Sequence, residues 1–333
     1  MKRVVVTGGG GFIGSAIVRR LLAGGDRVTV IGRSKYPELE AQGVRCLQGD
    51  ISDQNFMDHA LQGADLVFHV AAKAGIWGPW KEYEKTNIQG TEACIHGCRK
   101  NGIPALVYTS TPSVVFGNRS LEGVDEKTPY ARKPLCHYVT SKIVAEQLVL
   151  AADSRRFRTT AIRPHLVWGP GDPHLIPRLL ERGSAGKLKI VGNGRNRVDI
   201  SYIDNVVQAH LLAADNLFGK GDAGGRAFFI GQEEPVFLWD WINGLFADLG
   251  LGQVRKRVSF SVAFAVGSVF ELVYAGLRRT TEPPMTRFVA QQLAKSHWFD
   301  HSAARELLGY VPEVSVEEGM RRLVPWIRKA SHG

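Results

Sequence analysis

The chain has 333 residues, 44% of them apolar and 22% charged, which suits a soluble globular protein with a large core and excludes a disordered one. A formal net charge of +10 would suit nucleic acid, an anionic membrane or acidic substrates. The chain has no arginine-rich tail, zinc-finger spacing or basic helix interleaved with aromatics, so nucleic acid is set aside, and scattered surface lysine and arginine is the plain reading of the charge.

Met1-Lys2-Arg3 runs directly into Val4-Val5-Val6, which leaves no room for a signal peptide and points to the cytoplasm. That apolar run predicts a first strand. Thr7-Gly8-Gly9-Gly10-Gly11-Phe12-Ile13-Gly14 follows it and opens a helix, the setting a dinucleotide fingerprint requires. Glycine lets backbone approach a pyrophosphate, and a helix N-terminus offers free N–H groups and a positive dipole end. Gly8, Gly11, Phe12, Ile13 and Gly14 are therefore expected cofactor contacts.

A second strand is expected from Val28 to Ile31, and Gly32-Arg33-Ser34 stands where an NAD-binding chain usually carries Asp or Glu for the ribose hydroxyls. A carboxylate there would repel a 2′-phosphate, whereas Arg33 pairs with one and Gly32 leaves it room. NADP(H) is thus favoured over NAD(H), with Arg33 and Ser34 at the phosphate. The competing reading of Arg33 is a solvated charge.

Further strands are expected from Leu66 to Val70 and from Ala105 to Thr109. Between them Lys81 to Asn101 reads as a crossover helix, with Gly102 and Pro104 leading into the next strand. This alternation predicts a doubly wound parallel α/β sheet. Cys46, Cys94, Cys98 and Cys136 lack metal-ligand spacing, so no metal is expected and they read as buried thiols. Nothing around Cys136 suggests an activated thiolate.

Tyr138-Val139-Thr140-Ser141-Lys142 carries the most chemistry. Four residues apart on a helix, the phenol and the ammonium share a face. A nearby positive charge pulls a phenol below its ordinary pKa of about 10, making it a proton donor and acceptor for a substrate oxygen. A packed ring beside a snorkelling lysine is the plain alternative.

Beyond Pro170 the pattern loosens, then returns to strand at Ala227-Phe228-Phe229-Ile230. We expect a nucleotide-binding domain over residues 1–168 with returning segments near 198–232, and a smaller, mostly helical substrate lobe from 169–197 and 233–333. Val258 to Leu277 is apolar apart from Glu271 and lies between Arg255-Lys256-Arg257 and Arg278-Arg279. It reads as a buried or interfacial helix that lines an apolar substrate pocket and touches a membrane surface. Ser315-Val316-Glu317-Glu318 reads as a capping box.

Taken in order, these landmarks resemble the extended short-chain dehydrogenase/reductases over nearly the whole chain. They are the glycine loop, Gly49-Asp50-Ile51, His69-Val70-Ala71-Ala72, Asn87 with Gly90-Thr91, Thr109-Ser110-Thr111, Tyr138 with Lys142, and Arg163-Pro164. The resemblance implies a Rossmann fold and catalytic Tyr138, Lys142 and Thr111, Thr111 standing where serine is commoner; Ser110 and Ser113 are further hydroxyl candidates. It extends the expected cofactor contacts to Asp50, Ile51, Ala71, Ala72, Lys73, Tyr138, Lys142 and Pro164. Relatives imply a homodimer through the helices of residues 81–101 and 138–150.

Within that family the chain is similar to the 3β-hydroxysteroid dehydrogenase branch, including sterol-4-carboxylate dehydrogenases. Val198 replaces the arginine that nucleotide-sugar enzymes use as a diphosphate clamp. Ala71 to Gly78, and Thr286-Arg287-Phe288 through His297-Trp298 to Gly309-Tyr310-Val311-Pro312, are similar to the 2-alkyl-3-oxoalkanoate reductases of bacterial long-chain olefin biosynthesis. The expected function is NADPH-dependent reduction of an apolar keto acid, in reach of other enzymes of that pathway. Oxidation of a sterol-like substrate is the alternative, and a non-catalytic dinucleotide sensor a further one. Lys73, His165 and Arg195-Asn196-Arg197 are candidates for the substrate carboxylate, and Trp77, Trp80 and Trp168 for the wall of an acyl pocket.

Overall fold

The computed structural model describes residues 1–330, so the last three residues of the expected substrate lobe, 331–333, lie outside them. Val4 to Val6, Val28 to Ile31 and Leu66 to Phe68 are too short for helices and too uniformly apolar for a solvated sheet face, and all lie in buried parallel strands. The main sheet comprises β1 (Arg3–Thr7), β2 (Arg27–Gly32), β3 (Arg45–Gln48), β4 (Leu66–His69), β5 (Ala105–Thr109), β6 (Arg158–Pro164) and β7 (Arg226–Ile230). Its seven strands run in the order β7-β6-β5-β4-β1-β2-β3, every pairing parallel. This is a Rossmann-type doubly wound sheet. The order reverses between β1 and β4, where Thr7 pairs with His69 at the carboxyl ends of both strands. Such a switch point opens a crevice for a ligand.

Among the described residues ten helices of seven or more residues pack on this frame: α1 (Phe12–Ala23), α2 (Gln54–Ala60), α3 (Gly90–Lys100), α4 (His137–Ala151), α5 (Leu175–Ser184), α6 (Ile203–Phe218), α7 (Leu238–Asp248), α8 (Phe260–Gly276), α9 (Arg287–Ala294) and α10 (Val316–Ala330). Alternation along the strands divides the core. Val5, Ile31, Val67 and Leu106 face α2, α3 and α4, where Met57, Cys94 and Ala145 meet them. Val4, Val6, Phe68 and Val107 face the other way, toward Ile17 of α1 and Ala213 of α6. That second cluster continues unbroken into Trp239 and Phe246 of α7 and Leu323 of α10.

The expected crossover helix over 81–101 is three consecutive pieces: Trp80–Tyr83, a π-helical Glu84–Gln89, and α3. Ser315 caps α10 by accepting the Glu318 N–H at 3.1 Å. Gly267 of α8 faces the start of α9 so closely that a Cβ would lie 2.6 Å from the Thr286 carbonyl carbon. Only glycine admits that approach. It brings Arg287 and Phe288 to the site described next.

Candidate active site

At the carboxyl end of β1, Gly8 takes φ +70° with Ala71 across from it, where a Cβ would sit 2.8 Å from the Ala71 backbone. A Cβ on Gly14 would lie 2.2 Å from the Gly8 carbonyl oxygen. The turn is therefore a cradle that side chains would fill, and α1 begins at Gly11 without a side-chain cap, leaving backbone N–H groups for an anion. Below it the Ala71 N–H donates to Thr7 Oγ1 at 3.2 Å, and the buried His69 ring links Thr7 Oγ1 (2.8 Å) to Thr91 Oγ1 (3.0 Å). The loop after β4 is thereby fixed against the glycine turn.

A cavity of about 580 Å³ runs along this edge. Gly8, Gly11, Phe12, Ile13, Gly14, Arg33, Asp50, Ile51, Ala71, Ala72, Thr111, Tyr138, Lys142 and Pro164 all line it. Its shape and donors fit a dinucleotide. Burial pushes the Asp50 carboxyl up, but Lys85 at 2.8 Å and Ser52 outweigh this and hold it down at about 2. Two expected contacts lie elsewhere. Lys73 turns its amino group to Glu82 at 2.6 Å while its backbone bonds Asn87, and Ser34 is exposed beyond the cavity wall.

Tyr36 was not legible from spacing. Its ring lies across the glycine loop and the end of β2, where a Cβ on Gly10 or Gly32 would strike it at 1.9 or 2.3 Å. It sits in a loop four residues past Gly32, with no periodicity to mark it.

Tyr138 and Lys142 enter on the first turns of α4. Burial pushes the Tyr138 phenol up to about 12, with a Thr111 hydrogen bond pulling it down and Cys136 pushing it up. Burial also lowers the Lys142 ammonium to about 7 against the pull of Glu146. The expectation that Lys142 depresses the phenol thus meets a stronger opposing effect: both groups favour their neutral forms in this pocket. Lys142 donates to the Thr109 carbonyl at 2.6 Å and lies 4.1 Å from the centre of the Tyr108 ring. Burial pushes the Cys136 thiol up to about 11, away from thiolate chemistry.

Behind this pair, Glu146 of α4 and Arg163 of β6 form a buried ion pair with oxygen–nitrogen distances of 2.5 and 2.9 Å. Tyr130 donates to the same carboxylate at 2.8 Å. The bridge ties the tyrosine helix to the sheet edge.

A second, apolar cavity of about 660 Å³ lies beside the first. Ile76, Trp77, Leu135, Tyr274 and Ala275 line it, and Phe288 lines both cavities. Trp77 is held there by donating to the Arg279 carbonyl at 2.9 Å. Trp80 packs against His137, and Trp168 packs edge-on in the core against Tyr202 and Trp241. Arg197 leans on Trp298, away from the cavities. His165 lines the first cavity but is paired with His297 at 2.6 Å, and burial beside that ring holds it well below the ordinary histidine range, hence neutral.

Two buried polar atoms in the first cavity have no hydrogen-bond partner among the described residues: Ser110 Oγ and Gln292 Nε2. Gln292 is one turn beyond Phe288 on α9, and its amide was not singled out from sequence. A buried donor without a partner is costly unless a ligand supplies one.

Comparison with known proteins gives the same picture. The model of the 3-beta hydroxysteroid dehydrogenase/isomerase family matches residues 5–262. The chain is 45% identical to the 2-alkyl-3-oxoalkanoate reductase of Stenotrophomonas maltophilia, covering 96% of this chain and 98% of that one. It is 48% identical to the protein of that name from Shewanella oneidensis, covering 97% and 86%. The mouse sterol-4-alpha-carboxylate 3-dehydrogenase, decarboxylating, is 32% identical over 97% and 90%. Among solved structures, gox2253 superposes with a TM-score of 0.80 at 26% identity over 99% of both chains. MoeE5 in complex with UDP-glucose and NAD does so at 0.75 and 27%, also over 99% of both.

Proposed function

Because the chain belongs to the 3-beta hydroxysteroid dehydrogenase/isomerase family, and is an oxidoreductase of the short-chain dehydrogenase/reductase type, we propose that it reduces the 3-keto group of a 2-alkyl-3-oxoalkanoic acid to the hydroxyl with NADPH. One observation carries the substrate class: an apolar cavity adjoins the Tyr138 cavity, and Phe288 lines both. An alkyl arm fits the first and a polar keto acid head the second.

The dinucleotide, bound along the glycine loop, supplies the hydride. Tyr138 holds its proton across the neutral range and passes it to the substrate's 3-oxygen as that atom gains charge, while the Thr111 hydroxyl donates to the same oxygen. Lys142, anchored on the Thr109 carbonyl, fixes the floor of the site and has donors left for ribose hydroxyls. Ser110 and Gln292 are the unpaired groups placed to receive the substrate carboxylate. Arg33, exposed at the cavity rim, supports NADPH over NADH through the 2′-phosphate. A homodimer through α3 and α4 belongs to the same proposal, supported by the half-buried Ile143 and Val144 on α4, and light scattering checks it.

The deciding assay supplies NADPH or NADH with a 2-alkyl-3-keto acid, a 3β-hydroxysteroid and a sterol 4-carboxylate. We expect the keto acid with NADPH to turn over fastest. Tyr138→Phe should lower kcat by about 10²- to 10⁴-fold while still binding NADPH. Arg33→Ala should cost NADPH about tenfold in kcat/KM and leave NADH unchanged. A wild-type rate in Tyr138→Phe, or faster steroid oxidation, overturns the assignment.

A further inference from the structure

Among the described residues, none covers the outer face of α8. Val262, Val266, Val269 and Val273 follow helical spacing and are 52%, 42%, 59% and 47% exposed; Leu272 reaches 74% and Leu277 60%. The helix carries one charge, Glu271, and that side chain turns inward to Arg287 at 2.6 Å. Apolar exposure of this extent on one helix marks an interaction surface. Basic residues bracket it: Arg255, Lys256 and Arg257 before it, Arg278 and Arg279 after it, all exposed.

The inner face of the same helix lines the apolar cavity through Ser268, Glu271 and Tyr274. Exposed Leu272, Ala275, Arg278, Arg279 and Thr280 also line that cavity, so its mouth opens at the C-terminal end of the apolar stripe. No helix among the described residues is long and apolar enough to cross a membrane. The 17-residue α8 is about 26 Å long and suits the plane of a bilayer instead.

We propose that α8 docks on an anionic lipid surface and that the alkyl arms of the substrate pass from the bilayer into the apolar cavity through the mouth beside Leu272. The charge pattern selects this occupant: a valine and leucine stripe enters the acyl boundary while basic clusters at both ends meet lipid phosphates. Substrate delivery rests on the keto acid reading above; lipid docking does not.

Flotation with phosphatidylglycerol vesicles, and with phosphatidylcholine vesicles as control, tests docking without substrate. The wild type should float with the anionic vesicles at low salt and bind at least tenfold less at high salt or to the neutral ones. The triple variant Val262→Glu, Val266→Glu, Val269→Glu alters no cavity-lining residue. It should lose at least tenfold in vesicle binding, keep wild-type turnover of a short, soluble keto acid, and lose turnover of a long-chain one held in vesicles. Replacing Arg255, Lys256 and Arg257 by Gln should weaken binding and flatten its salt dependence.

A wild type that stays with the unbound fraction, or a triple variant that floats equally well, overturns the proposal. Self-association of the wild type that the triple variant abolishes, with neither floating, gives the face to a second copy and also overturns it. Inactivity on the soluble keto acid would sink the reductase reading and leave the flotation result standing.

Discussion

At the scale of single residues the site holds two groups in their costly environment. Lys142 is 2% exposed, and burial lowers it from 10.5 to about 7. A lysine whose folded value lies below its unfolded one is bound to fewer protons in the native state. Folding stability is then lowest and flat below about pH 7 and rises as pH climbs from about 7 toward 10.5. We expect Lys142→Met to stabilise the fold near pH 6, by about 5 kcal/mol at most, and to change it little near pH 10. Thermal melts at the two pH values check this. Because the phenol sits at about 12, kcat/KM for NADPH should show an inflection near pH 7 that Lys142→Met removes, and none between 8 and 10. The motif was plain in the sequence; the direction of the phenol's displacement was not, since spacing reports a shared helix face and says nothing of how far water is excluded.

At the scale of elements, the position of Tyr138 depends on how α4 is held against β6. Glu146 and Arg163 are 0% and 3% exposed in their side chains, so neither charge has water to fall back on. Glu146→Gln should destabilise the protein by about 3 to 5 kcal/mol, whereas the double change Glu146→Leu, Arg163→Met should cost clearly less, as denaturant titration of the set would show. Strands such as β1 and β5 were legible because they are continuous apolar runs. β6 was not. Its sequence Arg-Thr-Thr-Ala-Ile-Arg-Pro looks half polar, yet Thr159 and Thr160 are buried and donate to the Val149 and Arg226 carbonyls, and Arg163 is neutralised by Glu146. Partners distant in sequence satisfy these polar groups, and no local pattern announces them. The edge strand β3, with only Cys46 and Leu47 apolar, escaped for want of burial. The π-helical segment at Glu84–Gln89 escaped because its cause is tertiary: Asn87 bonds both the Lys73 backbone and Ser141.

At the scale of the whole molecule, the cofactor cavity draws its walls from the sheet edge, α1, α4, α5 and α9, so filling it joins segments from Gly8 to Gln292. NADPH at a hundred times its Kd should add about 2.7 kcal/mol and raise Tm by about 4 °C for a chain of this size. Gly14→Ala should abolish that rise, because the added Cβ would occupy the loop 2.2 Å from the Gly8 oxygen. The doubly wound order and the cofactor edge could be read from the first half of the chain. Ser110 was already a hydroxyl candidate there; the unpaired Gln292 amide and the Phe288 side chain common to both cavities could not be read, as both depend on where α9 lands beside Gly267. One further consequence follows from the apolar cluster that runs from Val4 and Phe68 into Trp239 and Leu323. On that face of the sheet the two halves share one apolar interior, so hinging them apart would expose part of it to water.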